Sequence, residues 1–181
     1  MASPAKHFKP GYVTLFAASL MTVCFSLVTA ESRAEEPTQE QLLYTLEADR
    51  QIRNLMSRYG QYLDTKNFDG YASLFAKEAE WSGQLSEYTT IKGPDNIRAA
   101  MEKAFATRVY DPGHITNLHL ITNIEINIEG NRATGYSRWT VMSRNEADQP
   151  YARVSGRYDD VFIRENGQWK FLSRSARREI P

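Results

Sequence analysis

The sequence predicts an α+β fold, with N-terminal helices packed on a strongly curved, mostly antiparallel sheet. Three observations carry that prediction. Helical periodicity ends near Phe105, and four long strand-like runs fill the stretch from His114 to Ile180. Two of the three connections between those runs are Glu129-Gly130-Asn131 and Glu165-Asn166-Gly167, short and of the composition that hairpins use. Helices followed by an antiparallel meander bury their apolar stripes on one face of the sheet. A curved sheet then encloses a pocket between its concave face and the helices.

The chain has 181 residues, one domain's worth and long enough to bury a sizeable core. Its first thirty residues read as a signal peptide. Lys6 and Lys9 form a basic start, Tyr12 to Leu27 is an uncharged apolar run, and Val28-Thr29-Ala30 supplies the small residues of a cleavage site. Ser32-Arg33-Ala34 is a second candidate. The expected organisation is a leader over 1–30, cleaved after 30 or 34, a linker over 31–37, and one domain over 38–181. The mature protein is expected in the periplasm or secreted, with membrane contact only through the leader; an uncleaved anchor is the alternative. Removal of Lys6 and Lys9 leaves 20 basic against 22 acidic residues, which excludes the basic excess of a nucleic-acid-binding face. Cys24 is the sole cysteine and leaves with the leader, so thiol and disulfide chemistry are excluded.

Along the mature chain, Thr38 followed by Gln41 has the form of a capping box and starts helix one. Leu42, Leu46, Ile52, Leu55, Met56, Tyr59 and Leu63 recur at three- and four-residue spacing as one apolar stripe. A second short helix covers Asn67 to Phe75. Glu80 to Gln84 and Thr89 to Ile91 read as short strands. Gly93-Pro94-Asp95 opens a third helix with Ile97, Met101 and Phe105 on one side, and Val109 to Gly113 is a loop. The strand candidates are His114 to Ile128, Arg132 to Ser143, Tyr151 to Arg164 and Gln168 to Ile180.

Several chemistries drop out at once. The chain has no Gly-rich phosphate loop and no Gly-x-Ser-x-Gly elbow. His114 and His119 are five residues apart, so a regular strand points them to opposite sides. They make a poor metal pair, and no metal or other cofactor is expected. What remains is His119, acidic partners and many aromatics. A neutral imidazole accepts a proton from a carbon or oxygen acid when a carboxylate holds its other nitrogen. Asp64, at the end of helix one, suits that orienting role, and Tyr59 is placed to donate to a substrate oxygen. Phe75, Trp81, Trp139 and Met142 are the expected apolar lining, with Asn123 as a further substrate contact.

Structural readings compete with each of these. A lone strand histidine packs as a half-buried residue, Asp64 ends its own helix, and the aromatics form core. Register also opposes the pairing. His119 shares parity with Asn123, Glu125 and Asn127, opposite to Ile124, Ile126 and Ile128. A bulge between His119 and Ile124 would reverse this. The dyad requires that bulge.

Four segments, RYGQYLDTKNFDGYASLF, AEWSG, HLITNIEINIEGNRATGYS and SGRYDDVFIRENGQWKFLSR, resemble in order and spacing the SnoaL-like branch of the NTF2-like superfamily. That group includes scytalone dehydratase, bile-acid 7α-dehydratase and the hexachlorocyclohexane dehydrochlorinase. The resemblance implies a cone-shaped α+β barrel. It matches Asp64 to the family's helix-end aspartate, His119 to its catalytic histidine, and Tyr59 to a tyrosine of the bile-acid enzymes. Trp81 and Leu63 stand where scytalone dehydratase has water-binding tyrosines, and its second histidine falls near Ser143, which argues against scytalone as substrate. The implied function is a cofactor-independent lyase or isomerase of dehydratase type, acting on a small cyclic, apolar molecule. The alternative is a non-catalytic module that binds ligands or protein partners. A homodimer or higher oligomer is expected through the sheet, where Arg153, Arg157, Tyr158 and Phe162 mix charge with aromatics.

The leader reading makes a direct prediction. N-terminal sequencing of exported protein is expected to begin at Glu31 or Glu35, and intact Met1 in the membrane fraction would reject cleavage.

Overall fold

Thr38 caps the first helix, α1 (Gln39–Asp64), through a complete capping box. The Gln41 amide donates to Thr38 Oγ1 at 3.2 Å, and the Thr38 amide donates to Gln41 Oε1 at 2.7 Å, so two otherwise orphaned donors are satisfied. Lys66, in the left-handed region at φ 53°, breaks the chain. Asn67 then caps a short helix, α2 (Phe68–Ser73), by accepting from the Gly70 amide. The computed structural model describes residues 36–85, 88–106 and 117–180. The leader, His114 and the expected 109–113 loop lie outside the described residues.

The remaining elements are β1 (Phe75–Gln84), β2 (Tyr88–Lys92), α3 (Pro94–Phe105), β3 (Asn117–Glu129), β4 (Arg132–Arg144), β5 (Pro150–Glu165) and β6 (Gln168–Ile180). They form one six-stranded sheet in the order β2-β1-β6-β5-β4-β3. All pairings are antiparallel except β1 with β6. Asn166 and Gly167 both have positive φ, as the two central residues of a tight hairpin turn require. With helices laid against the curved sheet, this is the α+β fold that the element order predicts and the cone-shaped barrel that the resemblance implies.

Some boundaries differ from expectation. Phe75 opens β1 rather than ending α2, because it pairs with Phe171 and is buried against it. The buried stripe of α1 begins at Ala48. Leu42 and Leu46, expected on that stripe, are 50% and 67% exposed, and Tyr44 instead ties the first turns down by donating to the Gly130 carbonyl. Tyr158 and Phe162, expected on an outward interface, are 3% and 0% exposed and belong to the core. Inward residues alternate along β5 from Val154 to Phe162, so their parity puts them among the helices.

The core holds a charged pair that apolar patterning does not announce. Arg174 donates to both Asp160 oxygens, at 2.8 and 2.6 Å, with both side chains fully buried. Its guanidinium carbon also sits 4.0 Å from the Tyr59 ring centre, 3.9 Å from Tyr158 and 4.2 Å from Phe171. Burial pushes the Asp160 carboxyl above the usual carboxylate range, and Arg174 pulls it back only in part. Burial alone would lower Arg174, but the Asp160 charge and hydrogen bonds more than offset that and hold the guanidinium charged.

Such a pair is expensive to break, because the survivor is a buried charge without a partner. Arg174→Met is predicted to lower the unfolding free energy by about 3–5 kcal/mol. The double variant Asp160→Leu/Arg174→Met is predicted to recover most of that loss in urea titrations. Additive losses in the double variant would show that the two groups do not act as a unit.

Candidate functional site

Asp64 is the last residue of α1, where the helix dipole disfavours a carboxylate and no basic residue compensates it. It does not end its own helix. Thr65 does that, with its amide and its Oγ1 both donating to the Gln61 carbonyl. Asp64 spends both oxygens on β3 instead. His119 Nδ1 lies 2.5 Å from Oδ1, and the His119 backbone amide donates to Oδ2 at 2.9 Å. The two side chains are 5% and 9% exposed. A carboxylate only accepts, so it selects the tautomer with the proton on Nδ1 and leaves Nε2 with a lone pair.

The bulge that parity demands is present. Pairing of β3 with β4 runs regularly to Thr122 opposite Arg138, then resumes at Glu125 opposite Tyr136. Asn123, with φ 51°, occupies the shift, in a backbone region that Asn tolerates better than most residues. The slip puts His119 and Ile121 on the same side as Ile124, Ile126 and Ile128, all half-buried. It also sets Asn123, expected as a substrate contact, outside the cavity lining. Its side chain is exposed at the bulge, so its role is in the backbone.

A cavity of about 610 Å³ opens beside the dyad, within the range of small-molecule sites. Tyr59, Trp81, His119, Trp139, Val141 and Tyr158 are among its lining residues. Trp81 Nε1 donates to Tyr59 Oη at 3.0 Å, a bond in which the Tyr59 hydroxyl is the acceptor. Trp139 stacks on Tyr158, and its Nε1 is buried without a partner among the described residues. Two expected lining residues are elsewhere. Phe75 packs in the aromatic core against Tyr59, Tyr71 and Phe171. Met142 lies on the opposite face of β4 from Trp139 and Val141, and Val141 takes the lining place. Among the described residues no cluster of three or more His, Cys, Asp or Glu side chains could hold a metal.

Sequence reasoning missed Gly60 and the Arg174 support. Gly60 lies inside α1, where glycine costs about 1 kcal/mol relative to alanine, and that cost was the available signal. A Cβ there would sit 3.1 Å from His119 Cβ and 3.5 Å from the His119 carbonyl oxygen. The missing side chain lets α1 come close enough for Asp64 to reach across. Arg174 backs Tyr59 from the core side; parity sets it opposite Phe171, and only the register shift between Phe171 and Ser173 turns it inward.

A family profile described as a SnoaL-like domain matches residues 44–175. No curated protein matches the chain. Among solved structures, a protein of unknown function from Mycobacterium tuberculosis, Rv3472, is 26% identical, with TM-score 0.62 over 81% of this chain and 78% of its own. A candidate scytalone dehydratase from Novosphingobium aromaticivorans is 23% identical, with TM-score 0.62 over 77% and 89%. LinA is 21% identical, with TM-score 0.63 over 76% and 89%. The last two likenesses concern the fold alone.

The close approach at Gly60 can be tested by size. Gly60→Val is predicted to cost about 1–3 kcal/mol through overpacking against His119. Gly60→Ala is predicted to be near neutral, since a helix-propensity gain of about 1 kcal/mol offsets the tight contact. Equal, small effects in urea unfolding would mean that α1 and β3 are not in forced contact there.

Proposed function

The chain belongs to the SnoaL-like domain family, and we propose that it is a cofactor-independent lyase or isomerase of dehydratase type acting on a small cyclic, largely apolar molecule. The observation that carries this reading is the two-point grip of Asp64 on His119 in the wall of an aromatic cavity. An imidazole held by Nδ1 presents Nε2 as a base in one orientation, and the surrounding rings offer an apolar wall to a ring-shaped substrate.

In the elimination, Nε2 removes a proton from carbon and becomes N–H. The electron pair of the broken C–H bond forms the new double bond, and the bond from the neighbouring carbon to its leaving oxygen breaks. That oxygen takes the Tyr59 proton as it departs, and the imidazolium returns its proton to the tyrosinate as the site resets. Asp64 stabilises the positive charge that develops on the ring. In an isomerisation the same Nε2 would return the proton to a different carbon. A non-catalytic ligand-binding module remains the competing outcome of the tests below.

Two further expectations belong to this proposal. The leader makes the protein an exported one. Assembly into a homodimer is now carried by the outer sheet face, where Leu118 and Leu120 are 45% and 41% exposed, beside the half-buried Met142 opposite Leu118. Light scattering is expected to report a dimer that Leu118→Lys/Leu120→Lys converts to monomer; a monomeric wild-type mass would count against it.

Catalysis is tested by a thermal-shift screen over steroids, phenolics and terpenoids, since a ligand that binds only the folded state raises its stability. Hits are then incubated and their products analysed. His119→Ala and Asp64→Asn are each predicted to lower turnover about 10²–10⁴-fold while binding persists. Tight binding with no product in the wild type would leave a ligand-binding module.

A further inference from the structure

The cavity is apolar in its body but one-sided in its charge. Lys103, Arg153 and Arg178 line it, and among its described lining residues there is no carboxylate. Asp64 is committed to His119 from behind. Lys103 and Arg178 are exposed and therefore at the rim. Arg153 is half-buried, and its Nε is buried without a hydrogen-bond partner among the described residues. Other cations on the same sheet are neutralised: Arg138 and Arg157 pair with Glu179, and Arg177 with Asp159.

The backbone aims Arg153 into the cavity. By parity it belongs with Ser155 and Arg157 on the outer face. However, Ala152 pairs with Met142 and Val154 with the adjacent Val141, so Arg153 is an extra, unpaired residue. Bulges of this kind re-aim a side chain, and Arg153 joins Val154 in the lining. In the ladder, Val154 pairs with Val141, which pairs with His119. Two strand spacings separate them, about 10 Å.

We infer that the ligand of this cavity is an organic anion: an apolar ring system that meets His119, with a carboxylate or similar acidic group bound by Arg153 and steered by Lys103 and Arg178. A half-buried guanidinium with an unused donor is costly unless something negative completes it. This rests on the reading of the cavity as a binding site, but not on turnover there.

A matched pair of fluorescent probes separates the claims. Anilinonaphthalene sulfonate and phenylnaphthylamine share a ring system, but only the first is anionic. The sulfonate is expected to bind about tenfold or more tightly than the amine at low salt, with an advantage that shrinks as salt rises. Arg153→Met, which keeps the length of the side chain, is expected to remove that advantage and leave amine binding unchanged. Arg153→Lys should restore part of it, and a surface control, Arg58→Gln, should change neither. Circular dichroism verifies the fold of each variant, and Arg178→Gln, altered at the exposed rim, gives a second reading if Arg153→Met does not fold. Equal binding of both probes, unaffected by either substitution, would overturn the anion proposal while leaving the cavity as a neutral-ligand site. Binding of neither probe would overturn the cavity reading as well.

Discussion

Asp64 uses both carboxylate oxygens on a single residue, one on the His119 ring and one on its backbone amide. That pair of hydrogen bonds fixes α1 against β3 and constrains much of what surrounds it. It requires a helix that ends at Asp64, a glycine where the helix crosses His119, and a bulge that turns His119 inward. Remove the carboxylate and two buried donors lose their acceptor, each at about 1–3 kcal/mol. The arrangement is therefore held by the fold, and the imidazole it presents has one orientation before any ligand arrives.

The second constraint lies underneath. Arg174 and Asp160 place a charged pair in the core, with three aromatic rings around the guanidinium. A hydrophobic pair of the same volume would stabilise at least as well. What the ion pair adds is direction, because a two-oxygen grip fixes the plane against which Tyr59 and Tyr158 pack. Tyr59 is then held from the core by Arg174 and from the cavity side by the Trp81 donor. The site's hydroxyl and its imidazole are each positioned by a bidentate carboxylate in the layer behind.

Much of this was legible in the residues. Thr38 with Gln41, Gly93-Pro94 and Asn166-Gly167 mark element boundaries because each satisfies a specific backbone need, and all three are observed. The conflict in parity between His119 and Ile124 was itself informative, since only a bulge could reconcile them. Charges inside strands were less legible. Asp160 and Arg174 look like solvent-facing residues until their partner is known, and that partner is 14 residues away on the next strand. Arg153 was hidden by a second bulge, and Met142, three residues after Trp139, falls on the opposite face of β4 by simple alternation. Phe75, Tyr158 and Phe162 were misplaced for a simpler reason: aromatics suit a pocket, an interface and a core equally, and only the packed sheet distinguishes them.

The central claim is that Asp64 holds His119 with its proton on Nδ1 and its lone pair on Nε2. Long-range proton–nitrogen correlation NMR of the imidazole, in mildly alkaline buffer, reads that state directly. The account predicts a ring with protonated Nδ1, unprotonated Nε2 and a slowly exchanging, strongly downfield Nδ1 proton. A ring protonated on Nε2, or one averaging freely between tautomers, would contradict it.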